Sequence, residues 1–314
     1  MILAKAPLRV SFFGGGSDIP AHYLAHGGAT ISTAINKYVY VAVSETPHNH
    51  IKLSYSEQEL VTSVSEIKND IIRNALKMFD ISGNIDISTF ADLPTVGSGL
   101  AGSSAFTCAL VRALSHLCGM RLNEYEVAER ACTIEIDMCG WNIGKQDQYA
   151  SAFGGMNYIQ YWPRGEVTVT KLDPHNIDKS MLLIPTNVTR HAAEVLDKID
   201  FEKRATLLNS LADYARLFST GVFDLELYGQ KLDECWEIKK QLEGGISSPE
   251  IDGMYNKIKN CGAAGAKLLG AGGGGYILAL TSSLNKPNLH MAFSPSVCLD
   301  VKIAHEGAKV VYND

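Results

Sequence analysis

The sequence predicts a mixed α and β fold divided into two domains. Three observations carry that expectation. The 314 residues exceed the roughly 100–200 of a usual single domain. Stretches rich in Val, Ile and Tyr are interleaved with stretches whose apolar residues recur at helical spacing. A polar break, LDPHNIDK at 172–179, falls near the middle of the chain. It separates an expected first domain, residues 1–175, from a second, residues 176–314.

Residues 2–13 read as a strand with β-branched and aromatic positions, stopped by Gly14-Gly15-Gly16. Residues 29–44, which include INKYVYVAVS, form a second strand, and 51–56 is placed beside it. A helix is expected over 65–79, with Ile67, Ile71, Ala75 and Met78 on one face. Residues 84–90 alternate apolar and polar and read as a strand. A long apolar helix follows over 103–118, stopped by Gly119. Asn123 caps a further helix that runs to about residue 139. Strands at 157–161 and 166–172 flank the turn Pro163-Arg164-Gly165, and 180–185 is a short apolar strand. Helices are expected at 191–199, 201–218 and 225–242. Helical spacing at 253–269 leads into the glycine run 270–275, and 276–281 closes the pattern as a strand.

Composition narrows the function classes. The hydrophobic fraction is 46% and the charged fraction 20%, which places the chain among ordinary globular proteins rather than disordered ones. The formal net charge of −6 argues against a nucleic-acid partner, which needs clustered Lys and Arg. It leaves room for a small anionic ligand held by a few local donors. The seven cysteines are odd in number and lack a CxxC pair, so reduced thiols are expected. MILAKAPLRVSFFGGG at the start lacks a signal-type core. No run of about 18 apolar residues suggests a membrane span, and a cytoplasmic location is expected.

The segment DLPTVGSGLAGSSA, residues 92–105, is the first with chemical content. Gly97, Ser98, Gly99, Leu100, Ala101, Gly102, Ser103 and Ser104 lead directly into a helix. Glycines let the backbone turn sharply and approach a ligand. The first N–H groups of a helix have no internal partner, and with the helix dipole they attract anions. The hydroxyls of Ser103 and Ser104 add donors and a possible Mg²⁺ ligand. Gly97, Gly99 and Gly102 also satisfy GxGxxG, but that dinucleotide fingerprint should open a βαβ unit. Helix-like sequence continues here to about residue 139 instead, which disfavours a nicotinamide oxidoreductase. The phosphate-loop pattern ending in Gly-Lys-Ser/Thr is absent. Taken alone, the segment is equally consistent with a helix start capped by serine.

Two further constellations bear on the same chemistry. In APLRVSFFGGGSD, residues 6–18, Arg9 lies inside an apolar strand and Asp18 at a glycine-rich turn. Arg9 is either a solvated side chain of an edge strand or a cation held against phosphate. Asp18 is a candidate acceptor for substrate hydroxyls. Farther on, Glu135 on a helix precedes a polar loop, Gly144-Lys145-Gln146-Asp147. Surface charge accounts for either acid alone. Phosphoryl transfer, however, uses one carboxylate to help hold Mg²⁺ and another to orient or deprotonate the attacking hydroxyl. Lys145 is an anion contact or a solvated side chain.

These segments, with KLLGAGGGGYI at 267–277, resemble the three motifs of the GHMP kinases, in the same order. The superfamily unites galactokinases, homoserine kinases, mevalonate kinases and phosphomevalonate kinases. The resemblance runs nearly end to end. Within it, the chain is most similar to bacterial D-glycero-D-manno-heptose 7-phosphate 1-kinases. The shared features are the triple glycine before Ser17-Asp18, the INKYVYV strand, GKQDQYA followed by FGG, and Thr189-Arg190. Galactokinases carry Glu-His where this chain has Gly15-Gly16, which disfavours galactose. L-fucokinase domains share much of the pattern.

The resemblance implies an α+β two-domain GHMP kinase fold: an N-terminal domain like ribosomal S5 domain 2, a ferredoxin-like C-terminal domain, and ATP in the cleft between them. It implies that residues 97–104 surround the phosphates of ATP and that Ser104 and Glu135 hold Mg²⁺. It implies that Asp147 receives the proton of, or orients, an anomeric sugar hydroxyl while Arg9 stabilises the moving phosphoryl charge. Asp18, with Gly15, Gly16, Ser17, Gly144 and Lys145, would bind the sugar, and Arg190 a phosphate that the sugar already carries. The third motif would support the nucleotide loop or contact the ligand. The implied reaction is phosphorylation of a sugar or sugar phosphate, with heptose 7-phosphate first and fucose or another hexose as alternatives. A chain of this fold that binds without turning over is the remaining possibility.

Overall fold

A computed structural model describes residues 1–173, 177–188, 195–220 and 223–314. Strand β1 (Ile2–Phe13) is buried on both faces from Ala6 onward, as its apolar run predicts. It pairs antiparallel with β2 (Gly28–Glu45) in a register from Ile2 against Val43 to Phe13 against Ile31. The length of β2 lets its other edge serve two neighbours. Its first half pairs with β6 (Met156–Tyr161) and its second with β5 (Ile85–Ala91). Strand β3 (Ile51–Ser54) runs parallel to β5 and antiparallel to β4 (Gln58–Val61), while β7 (Val167–Leu172) extends beyond β6.

Helices α1 (Pro20–His26), α2 (Asp70–Met78), α3 (Gly102–Leu117), α4 (Glu124–Cys132) and α5 (Gln146–Phe153) accompany this sheet. Helix α3 packs on β1 and β2 and against α4 and α5, which is why its sequence is apolar nearly all round. Asn69 caps α2, its Oδ1 accepting from the Ile72 N–H at 3.0 Å. That cap divides the expected helix 65–79 into a 3₁₀ turn (Val64–Glu66) and α2. Asn123 and Glu126 form a reciprocal capping box on α4.

The second sheet is antiparallel, in the order β11 (Leu299–Asp300), β8 (Met181–Pro185), β10 (Tyr276–Leu280), β9 (Gly265–Leu268). Helix α6 (Ala205–Leu217) packs on β1 and β2 and against α7 (Leu225–Lys240), while α7 and α8 (Pro249–Asn260) pack on β9, and α9 (Lys286–Ala292) follows β10. The two halves share one core. Phe13 of β1 stacks on Phe218 at 4.9 Å and meets Tyr228 of α7 edge-on at 4.8 Å.

Other expectations change as well. The helix expected over 253–269 ends at Asn260, and 265–268 is β9, held by pairing with β10. Asp147 stands in the first turn of α5 rather than in a loop. The helix expected from Asn123 to 139 is α at first and then a π-helical turn, Thr133–Met138. Finally, β12 (Lys309–Asn313) returns to the first sheet and covers residues 2–5 of β1, so the last strand of the 176–314 half lies with the first half. Residues 191–194 of the helix expected at 191–199 fall outside the described residues. No described helix is long and apolar enough to cross a membrane, and all seven cysteines are free thiols.

Candidate active site

A cleft of about 850 Å³ opens between the two halves. Its centre is built where β1 loses β12 as a neighbour. At Arg9 the glycine loop takes over that edge, and the Leu100 carbonyl accepts the Arg9 N–H at 3.0 Å. Arg9 is therefore an interior strand residue, only 4% exposed, rather than a solvated one on an edge. Its guanidinium grips Asp147 through two hydrogen bonds, Nε to Oδ1 and Nη2 to Oδ2, both 2.8 Å. Nη1 donates to the Gly99 carbonyl at 2.6 Å. One arginine thus joins the strand, the glycine loop and α5. The Asp147 side chain stays 31% exposed, on the cleft wall.

The glycine loop is held open for a ligand. Ala101 caps α3 in the left-handed conformation (φ 65°, ψ 38°) and gives no side-chain hydrogen bond. The first-turn N–H groups are therefore not satisfied by a serine cap, and Gly102, Ser103 and Ser104 face the cleft. Ser98 and Leu100 do not line the cleft. Ser98 Oγ accepts from the Leu100 N–H at 3.3 Å, and the Ser98 carbonyl accepts from the Tyr276 N–H at 3.1 Å, which fixes the loop's shape. Gly270 of the third motif packs on Gly99 itself: a Cβ on Gly99 would lie 2.7 Å from the Leu269 carbonyl oxygen. Gly270, Gly272 and Gly274 also line the cleft, so the third motif both supports the loop and faces the site.

Behind Ser104 stands Glu135, fully buried in the π-helical turn. The extra residue of such a turn breaks the ordinary helical register, a device frequent at functional sites. Glu135 accepts from Ser104 Oγ at 2.8 Å, Thr107 Oγ1 at 3.1 Å and Gln148 Nε2 at 2.5 Å. Burial pushes its carboxyl up to about 7 against the pull of those three donors.

Asp18 also borders the cleft. Its oxygens accept the N–H groups of Gly16 at 2.9 Å and Gln146 at 3.0 Å. A Cβ on Gly144 would fall 1.9 Å from Asp18 Oδ2, so only glycine allows this approach. Burial, then the charge of Asp147, raises its carboxyl above the usual range. Gly15, Gly16 and Gly144 line the cleft beside it.

Two residues expected at the sugar face elsewhere. Ser17 is fully buried and ties the Gly14 carbonyl (2.8 Å) to Ala29 (3.1 Å). Lys145 pairs with Glu129 of α4 at 3.0 Å and does not line the cleft. Arg190 lies outside the described residues. Sequence reading overlooked Tyr55, Ile71, Phe90 and Phe106, which give the cleft apolar surface, and Asn142 and Asp197, which meet across 3.3 Å. It also overlooked Lys239 and Lys267 as site residues, although Lys267 opens the third motif.

Comparison with known proteins agrees with this geometry. Residues 66–155 match the GHMP kinases N terminal domain and 215–289 the GHMP kinases C terminal domain. The chain is thus a phosphotransferase with an alcohol group as acceptor. It belongs to the GHMP kinases, an ATP-dependent family. A D-glycero-alpha-D-manno-heptose 7-phosphate kinase of Campylobacter jejuni is 27% identical, covering 98% of each chain. A mevalonate kinase of Methanothermobacter thermautotrophicus is 28% identical over 88% of this chain and 89% of its own. The crystal structure of a D-glycero-D-manno-heptose 1-phosphate kinase from Bacteroides thetaiotaomicron shares the fold throughout, with a TM-score of 0.81, 24% identity and 100% of both chains covered.

The residues present fit both groups that the family reading implies. The uncapped start of α3, crowded glycines and nearby cations suit a polyphosphate. Ser104 offers a hard oxygen ligand on the cleft wall, which suits Mg²⁺, and Glu135 adds negative charge directly behind that hydroxyl without lining the cleft itself. Among the described residues no cluster of three His, Cys, Asp or Glu forms a complete metal cage, so phosphate and water would fill the other positions.

The buried acid yields a prediction. A carboxyl raised from an ordinary 4.5 to about 7 favours folding in its protonated form. That contribution is full below about 4.5 and is lost as pH rises through about 7. In the metal-free protein Glu135→Gln removes this loss, worth at most about 3 kcal/mol. Thermal melts in EDTA should show the variant gaining on the parent at pH 8 and little at pH 5. An equal shift at both pH values would contradict the assignment.

Proposed function

We propose that this chain phosphorylates the anomeric hydroxyl of a sugar phosphate, with D-glycero-D-manno-heptose 7-phosphate as the leading substrate. The observation that carries the reading is the Arg9–Asp147 grip beside Asp18, directly against the glycine loop. The heptose 7-phosphate kinase related over 98% of the chain supports the choice of sugar.

ATP supplies the phosphoryl group, and Mg²⁺, when bound, neutralises charge on the phosphate oxygens. Gly97, Gly99, Gly102 and Ser103 would hold the phosphates, and Ser104 and Glu135 the metal. Tyr55, Phe90 and Phe106 offer apolar surface to the base. Asp18 keeps spare acceptor capacity for sugar hydroxyls, since each of its oxygens is engaged by one backbone N–H. Asp147 is oriented by Arg9, with its free lone pairs available to the anomeric hydroxyl. It positions that oxygen and receives its proton as the new bond forms. An anomeric hydroxyl is more acidic than an ordinary alcohol, so a carboxylate is an adequate acceptor. Arg9 uses three of its five N–H donors on Asp147 and Gly99, and the other two remain to meet developing charge.

A coupled ADP-release screen over sugars, sugar phosphates and mevalonate tests the reading. Heptose 7-phosphate should give the highest kcat/KM, well above fucose and mevalonate. Mevalonate turnover at the level of the best sugar would sink it.

A further inference from the structure

Two lysines of the second half reach the cleft with their charges almost out of water. Lys239, in the last turn of α7, is 9% exposed, and Lys267, on β9, is 5% exposed. Taking an ammonium out of water costs several kcal/mol unless an opposite charge or a full set of acceptors meets it. Neither lysine has such compensation. Lys239 Nζ donates to the carbonyls of Leu268 (3.3 Å) and Gly270, and Lys267 Nζ to the carbonyl of Phe12 (2.6 Å). No carboxylate among the described residues pairs with either. An ammonium has three donors, so at least one remains on Lys239 and two on Lys267 beyond these bonds.

Their charged neighbours sharpen the imbalance. The charges of Lys267 and Arg9 bear on Lys239, and on Lys267 the thiol of Cys235 pulls upward while Arg9 pulls downward. Burial pushes Lys267 down to about 8 and Lys239 well below the ordinary lysine range. Three basic side chains thus converge on one cleft, and only Arg9 has a carboxylate partner. Tying two backbone segments together requires no charge at these positions. An anion entering the cleft would supply the missing countercharge.

We propose that Lys239 and Lys267 form a phosphate subsite beside the seam where Gly270 meets Gly99, taking the dianionic end of a phosphate monoester or of a nucleoside triphosphate. The subsite rests on the reading of this cleft as the place where donor and acceptor meet. Its phosphate comes from the group under transfer or from one the acceptor already carries.

Lys239→Gln and Lys267→Gln remove the charge and keep an amide N–H donor, with one bond less reach and an added acceptor oxygen. The variants are first matched to the parent by thermal melting. If one fails to melt cooperatively, the other carries the test. Calorimetry then compares probes with and without the relevant phosphate: AMPPNP–Mg²⁺ against ADP–Mg²⁺, heptose 7-phosphate against the free heptose, and inorganic phosphate against chloride. The variants should weaken a phosphate-bearing probe by about 10- to 100-fold while its counterpart stays within about twofold. Loss confined to AMPPNP assigns the subsite to the transferred group. Loss confined to heptose 7-phosphate assigns it to the acceptor. Equal losses within every pair, or none, overturn the proposal and leave the lysines a structural role. If the parent binds neither heptose, the proposed substrate fails, while the other two pairs still decide the subsite.

Discussion

Asp147→Asn lowers kcat by about 10²–10⁴-fold and leaves the affinity for ATP within about twofold. The size follows from two losses at one position. Asparagine cannot take the hydroxyl proton. It also replaces one of the oxygens that Arg9 grips at 2.8 Å with an NH₂ group, which faces an arginine donor instead of accepting from it. The guanidinium then loses the anchor that aims it at the phosphoryl group. ATP affinity is spared, because the start of α3 and Ser104 make no hydrogen bond to Asp147 and the Gly99 carbonyl keeps its own bond from Arg9 Nη1. Steady-state kinetics together with a nucleotide titration check both halves. Unchanged kcat would remove Asp147 from the chemistry; a loss of ATP affinity equal to the loss of kcat would make it a structural residue.

Gly99→Ala is expected to damage folding stability and nucleotide binding together. The position has φ +73°, where an L side chain costs about 1–2 kcal/mol. The new Cβ would also lie 2.7 Å from the Leu269 oxygen and 2.9 Å from its carbon, against backbone that belongs to the other half. Relief requires the seam between the two glycine loops to open. That displaces the Gly99 carbonyl held by Arg9 and the phosphate-binding backbone with it. Denaturant unfolding should show a loss of about 2–4 kcal/mol, and nucleotide affinity should fall at least about tenfold. Gly253→Ala is the control. Gly253 lies inside α8 with nothing within 4 Å of an added Cβ, so the same methyl group should be neutral or add about 0.5–1 kcal/mol. A Gly99→Ala protein as stable and as tightly nucleotide-binding as the Gly253→Ala protein would refute the seam.

What could be read from the amino acids divides along the range of the forces involved. β1, β2 and α3 were legible because their apolar periods are long and uninterrupted. The loop from Gly97 to Ser104 was legible as an anion site, but its competing serine-cap reading was excluded only by the left-handed Ala101. Glu135 was placed on a helix correctly. The π-helical turn that carries it was not visible, since a one-residue slip in hydrogen bonding leaves no mark on a short apolar pattern. β9 was taken for helix because four buried residues fit either period, and pairing with β10 decides. Ser17 and Lys145 sit within recognisable motifs, yet local partners hold them: the Gly14 and Ala29 carbonyls in one case, Glu129 in the other. Lys239 and Lys267 look in sequence like any solvated lysine. Their burial is created by β1, α7 and the third glycine loop meeting from distant parts of the chain.

The placement of Asp147 and Arg9 specifies which hydroxyl receives the phosphate. Phosphorus NMR of the product formed from ATP and heptose 7-phosphate tests it directly. A second phosphate resonance coupled to the anomeric proton is expected, as in a 1,7-bisphosphate. A new phosphate coupled to any other ring or chain proton would contradict the placement of Asp147 and Arg9 as the pair that handles the anomeric oxygen.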